Sequence, residues 1–283
     1  MVKRARQAVG ILLAATGAVM AFPSSGSAAA CNDDMVTEAG TCATPVPGRP
    51  LTDDQKNTLV QKNARRQVVE AALASSMGNK TNGGVSPAMI PPDGGTSSTV
   101  ANYRISSFAN MTFFKEGQGN GKKSYTCGPS ASRNVIYGMT GVDYGESQFA
   151  TWEGTTTDGT SRANIASALN NHFSSVWATT RPADRASYLT YVISDTKYGS
   201  QGVIANVDTE FYSFFNGHAL NHFDFVYGFD NTASTKYLYV GEEWDPIFIY
   251  GSSSYGNPYG KHKEKLINSY NAVNNTSYHG IVW

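Results

Sequence analysis

The apolar residues of this chain change their period past residue 200, and that change limits the fold more than any other feature of the sequence. Before it, Leu59, Val60, Ala64, Val68, Ala71 and Ala72 recur at helical spacing to about Met77. They follow Thr52-Asp53-Asp54-Gln55, which has the form of a capping box. Ile165, Ala168 and Leu169 give residues 161–171 an inward helical face, and a further helix is expected over about 181–193. After it, residues 203–207, 223–229, 237–240 and 247–250 are β-branched or aromatic runs separated by Gly, Asn, Ser and Thr. Helices first and strands later predict an α+β fold with a mostly antiparallel sheet. The sequence holds no internal repeat.

The N-terminus reads as an address. Lys3, Arg4 and Arg6 precede an apolar run over about 8–22, then Pro23 and Ala28-Ala29-Ala30, an Ala-x-Ala cleavage pattern. A secretory signal peptide over 1–30 is expected, and the run is short for a spanning helix. The alternative is a lipoprotein signal ending at Cys31, but the usual bulky aliphatic residue three positions earlier is missing. Residues 78–98 are rich in Gly, Pro, Ser, Thr and Asn and read as a linker. Three segments result: 1–30, an N-terminal arm or pro-region over 31–100, and a catalytic domain over 101–283. Formal net charge is zero. A nucleic-acid partner needs a positive field, so none is expected, and no later segment is apolar enough to span a membrane. A secreted protein follows, with association to the cell envelope as a further candidate.

The chain has three cysteines. In an oxidising compartment Cys31 and Cys42 are close enough to close a small disulfide loop, which leaves Cys127 over. Cys127 precedes Gly128 and Pro129, and Pro is favoured in the first turn of a helix. Val135, Ile136 and Met139 supply that helix with a buried face. A thiol at a helix N-terminus is activated by the dipole and by a nearby imidazole, so a depressed pKa is expected. The same N–H groups suit an oxyanion. For the base, His222 opens a strand run and is held rigidly, and His218 is its competitor in a loop. His172 reads as a cap or surface residue, and His262 and His279 as solvated. The acid that orients the imidazole is read as Asp245 in Trp244-Asp245-Pro246, with Glu242 and Glu243 as rivals. No metal or cofactor is expected.

Tyr125-Thr126-Cys127-Gly128-Pro129-Ser130-Ala131 resembles the nucleophile segment of the double-glycine, bacteriocin-processing cysteine peptidases of the papain-like superfamily. Three later blocks are similar in the same order: residues 147–170, residues 202–207, and His222-Phe223-Asp224-Phe225-Val226-Tyr227-Gly228-Phe229-Asp230 with the following Trp244-Asp245-Pro246. The resemblance covers about residues 110–250. It implies a papain-like fold, with the nucleophile at the N-terminus of a helix packed on an antiparallel sheet. It implies a peptidase working through a Cys-His-Asp triad and an acyl-thioester on peptide or protein substrates. It favours His222 over His218 and implies an oxyanion-hole Gln, for which Gln118 is the candidate, nine residues before Cys127. Alternatives are another Cys-His hydrolase or acyl transferase, such as a cell-wall amidase or a transglutaminase-like enzyme, or a peptide-binding module without turnover. The family cuts after paired glycines. Gly83-Gly84 and Gly94-Gly95 therefore suggest an arm that acts as an inhibitory pro-segment and is removed by the enzyme itself.

Overall fold

The computed structural model describes residues 31–78, 101–119, 121 and 123–283. The expected signal segment, almost all of the linker and both glycine pairs lie outside the described residues.

In chain order the elements are α1 (Asp53–Gly78), β1 (Asn102–Arg104), α2 (Ser106–Asn110), α3 (Cys127–Thr140), α4 (Glu146–Trp152), α5 (Arg162–His172), β2 (Thr179–Thr180), α6 (Arg185–Gly199), β3 (Val203–Asp208), β4 (Asn221–Asp230), β5 (Tyr237–Glu242), α7 (Pro246–Tyr250), β6 (Gly260–Lys265), α8 (Leu266–Asn274) and β7 (Gly280–Val282). One antiparallel sheet runs β2-β7-β3-β4-β5-β6, with β1 also paired to β4. This is the mixed helix and antiparallel-sheet architecture that the order of patterns predicts.

The sheet is covered on both faces, which is why its central strands read as almost unbroken apolar runs. On one face Val203, Ala205 and Val207 of β3 pack with Tyr188, Leu189, Val192 and Ile193 of α6 and with Val69 and Leu73 of α1. On the other, Phe223, Phe225 and Tyr227 of β4 pack with Ala131, Val135 and Ile136 of α3 and with Phe108 of α2. Alternation along β4 therefore sends every second side chain toward the helix that begins at Cys127. Gly138 of α3 lies where a side chain would collide with the Phe108 ring, so this helix comes close to α2.

α1 belongs to this core. Its capping box forms: Thr52 N donates to Gln55 Oε1 at 3.1 Å, and Gln55 N donates to Thr52 Oγ1 at 3.2 Å. Lys62 pairs with Asp195 of α6 at 3.1 Å, both buried, and donates to the Val176 carbonyl. A single helix cannot bury an ion pair alone, so α1 is docked by chemistry specific to α6.

One expected strand is corrected and one strand was missed. Residues 246–250 form a helix, because Asp245 Oδ1 accepts from Phe248 N at 3.0 Å and Pro246 sits in the first turn, where its missing N–H is harmless. The sequence Gly-Lys-His-Lys-Glu-Lys of β6 escapes a search for apolar runs, because it is the edge of the sheet and polar edges discourage further pairing. His279 is buried, 1 % exposed, and His262 stacks on Phe214 with centroids 3.8 Å apart; neither is a solvated surface residue. Among the described residues no helix is long and apolar enough to cross a membrane.

Candidate active site

Cys127 is the first residue of α3 and is only 4 % exposed. Gly128 follows because a side chain there would collide with the Thr160 methyl and press on Ile165 and Phe223. Phe223, at the start of β4, packs in the same buried cluster as Cys127, and its backbone N–H acts to lower the thiol pKa. The start of the helix and the start of the strand therefore lie together.

His222 Nε2 donates to Glu242 Oε1 at 2.8 Å. Glu242 ends β5, the neighbour of β4, and is fully buried. Its Oε1 also accepts from Trp244 N at 2.8 Å, which fixes the carboxylate. Burial alone would lower the His222 pKa. The Glu242 carboxylate, with Glu116 and Asp224, outweighs it and pushes His222 up to about 9. With Nε2 committed to Glu242, Nδ1 is the nitrogen left for proton transfer.

The other expected members lie elsewhere. Asp245 pairs with Lys115 at 2.6 Å and caps α7; Lys115 and backbone N–H groups hold its pKa below the usual range against the opposing effect of burial. Glu242, one of its two rivals, holds the imidazole. Gln118 is exposed, and its Oε1 accepts from Lys115 N at 3.1 Å within its own turn. His218 is half-buried in its loop, with Nε2 3.1 Å from the Ser254 carbonyl. His172 ends α5 and stacks on Trp152, centroids 4.0 Å apart.

Two carboxyls that the sequence does not single out complete the surroundings. Glu116, 1 % exposed, accepts from Thr126 N, the residue before the nucleophile, at 3.1 Å. Burial pushes its pKa up to about 8. Glu38 comes from the N-terminal arm. Cys31 and Cys42 are disulfide-bonded, with Cα atoms 6.0 Å apart, as the spacing predicts. Within the loop they close, Gly40 N donates to the Thr37 carbonyl at 2.9 Å and Gly40 takes a left-handed φ of 76°, which makes a tight turn. Glu38 sits on that turn, and the Cys127 thiol donates to its Oε1 at 3.2 Å. Burial pushes Glu38 up to about 7.

The thiol itself runs against the expected depressed pKa. Burial, then the Glu38 and Glu116 carboxyls, push it well above its ordinary value. The helix start is present, but the Glu38 carboxyl lies against the sulfur. His222, Glu242 and Glu243 also bring three possible ligand atoms within 4.8 Å of one another. Such a set of one imidazole and two carboxylates is of the kind that can hold zinc.

No family model and no curated protein matches the sequence. Among solved structures, the chain is similar to the bromelain protease from Ananas comosus in complex with the E64 inhibitor, at 12% identity over 64% of this chain and 97% of that one, with a TM-score of 0.40. It is also similar to digestive procathepsin L 3 of Tenebrio molitor larval midgut, at 13% identity over 82% of this chain and 99% of that one, with a TM-score of 0.42.

Proposed function

We propose that this chain is an exported papain-like thiol hydrolase that cleaves amide bonds in peptide or protein substrates through an acyl-thioester on Cys127. The observation that carries the reading is the convergence of two elements on one cysteine. Cys127 opens a helix, and Phe223, the residue after His222 on its strand, packs in the same buried cluster as that cysteine. In this reading His222 takes the thiol proton, Sγ attacks the carbonyl carbon, and the imidazolium protonates the leaving amine. Water then attacks the thioester, and His222 serves again as base. Glu242 keeps the ring oriented and stabilises its cation. The unpaired N–H groups at the start of α3 face the developing oxyanion. Export is supported by the signal-like start and by a disulfide, a bond found mainly in oxidising compartments.

The test is hydrolysis of unfolded protein and of peptidoglycan by the reduced enzyme, with Cys127→Ala beside it. Release of new peptide termini by the wild type alone supports a peptidase. Products from peptidoglycan alone make it a cell-wall amidase on the same chemistry.

A further inference from the structure

The turn of the Cys31–Cys42 loop meets Cys127 with a side chain, Glu38. The Glu38 carbonyl accepts from Asn221 Nδ2 at 2.6 Å, beside His222. Ala39 N donates to the Asp158 carbonyl at 3.1 Å, and Thr37 bridges to Ser161. The side chain then descends to the sulfur. One carboxyl oxygen takes the thiol hydrogen and the other accepts from Thr160 N at 2.5 Å. Gly159 leaves the space: a side chain there would collide with this carboxyl, and its φ of 91° suits glycine. The loop is anchored further by Asp34, which pairs with Arg162 at 2.9 Å and accepts from Thr179 Oγ1 at 2.7 Å.

The carbon held against the thiol is therefore the terminal carbon of a glutamate side chain. A glutamine differs from this group by NH2 in place of OH and has the same shape. From this juxtaposition we infer that the site accepts the side-chain carboxamide of a glutamine on a protein turn and hydrolyses it to glutamate, with Glu38 seated as the product of that reaction would be. The inference rests on the thiol chemistry proposed above and adds a substrate class to it. Burial pushes the seated acid up to about 7, as a seat made for an uncharged carboxamide would do.

The step balances. Cys127 Sγ bonds to the glutamine Cδ, and the thiol proton passes through His222 to the departing nitrogen, which leaves as ammonia. Water then attacks the Cδ–Sγ thioester, the proton it gives up returns to the sulfur through His222, and a γ-carboxylic acid is released. The sum is a carboxamide and water giving an acid and ammonia, with no change of oxidation state.

The protein carries its own test. In Glu38→Gln the loop delivers a carboxamide to the thiol. Intact-mass and peptide-mapping spectrometry of the full chain should show one of two Cys127-dependent products at position 38. A gain of about 1 Da marks hydrolysis back to glutamate, and a loss of about 17 Da marks a retained thioester to Cys127. The double variant Glu38→Gln/Cys127→Ala should keep its glutamine. Hydrogen-exchange protection of the Ala39 amide, which donates to the Asp158 carbonyl in the seated loop, reports that the loop is still seated. A seated loop whose introduced glutamine stays unchanged overturns the inference. Labelling of Cys127 by iodoacetamide in the same sample after reduction then separates the two readings. A reactive thiol leaves the hydrolase standing without the glutamine substrate, and an inert one removes both.

Discussion

The His222 imidazole and the Glu242 carboxylate are joined at 2.8 Å across the two neighbouring strands β4 and β5, and neither is open to solvent. Glu242 bonds the ring and Trp244 N, and in the proposed mechanism it fixes the tautomer and carries the charge of the imidazolium. Replacing Glu242 by Ala is expected to lower kcat by ~100-fold or more, because His222 loses the acid that orients it as base. Asp245→Asn should change it by only a few-fold, because Asn still caps α7. Steady-state rates of the two variants, measured on any substrate the wild type turns over, decide between the carboxylates.

Glu38 shields the thiol. Glu38→Ala should raise the rate of Cys127 alkylation at neutral pH and shift its pH profile downward, since the variant loses both a cover and a nearby acid. Reduction of the Cys31–Cys42 bond should act in the same direction by loosening the turn. Alkylation no faster in either case would mean that the loop does not control access.

Stability should fall as pH rises from the weakly acid range to about 9. Glu38 and Glu116 are pushed up to about 7 and about 8, chiefly by burial, so in that range the fold holds protons that the unfolded chain has released above its ordinary 4.5. His222, at about 9 against an ordinary 6.5, contributes stability below 6.5 that is lost as pH climbs to its folded value. All three have the same sign. Asp230, held at about 2 by the Lys263 and Thr232 bonds, opposes them only in strong acid. Thermal melting at pH 5 and pH 9 should give the higher Tm at pH 5.

The α1–α6 ion pair gives a stability prediction. Lys62→Met leaves Asp195 buried without its partner and should cost about 3–5 kcal/mol. The double variant Lys62→Met/Asp195→Leu should recover most of that, because it buries no charge. Urea denaturation of both checks the order.

Much of the site was legible in the sequence, and the reasons are local. The helix at Cys127 follows from Pro129 and the apolar face behind it. The strand at His222 follows from the aromatic run after it, and the capping box at Thr52 from four adjacent residues. The acid was harder to read. Asp245 and Glu242 lie three residues apart, and only the strand register and the Asp245 cap decide which meets His222. Gln118 was chosen by type and spacing, and the turn that holds it to Lys115 carries no separate signal. Glu38 was out of reach for a different reason. The loop was legible from its two cysteines, but its seat is built from Asp158, Thr160 and Asn221, distant in sequence, and no pattern within the loop points to them.

The most direct test of the account is labelling with an electrophilic peptide probe, applied to the reduced full-length protein and read by peptide mapping. The account predicts a single adduct on Cys127, lost in Cys127→Ala and slowed at least ~100-fold in His222→Ala while His218→Ala stays near the wild type. Equal labelling of the wild type and His222→Ala, or no labelling of Cys127 once Glu38 is released, would contradict it.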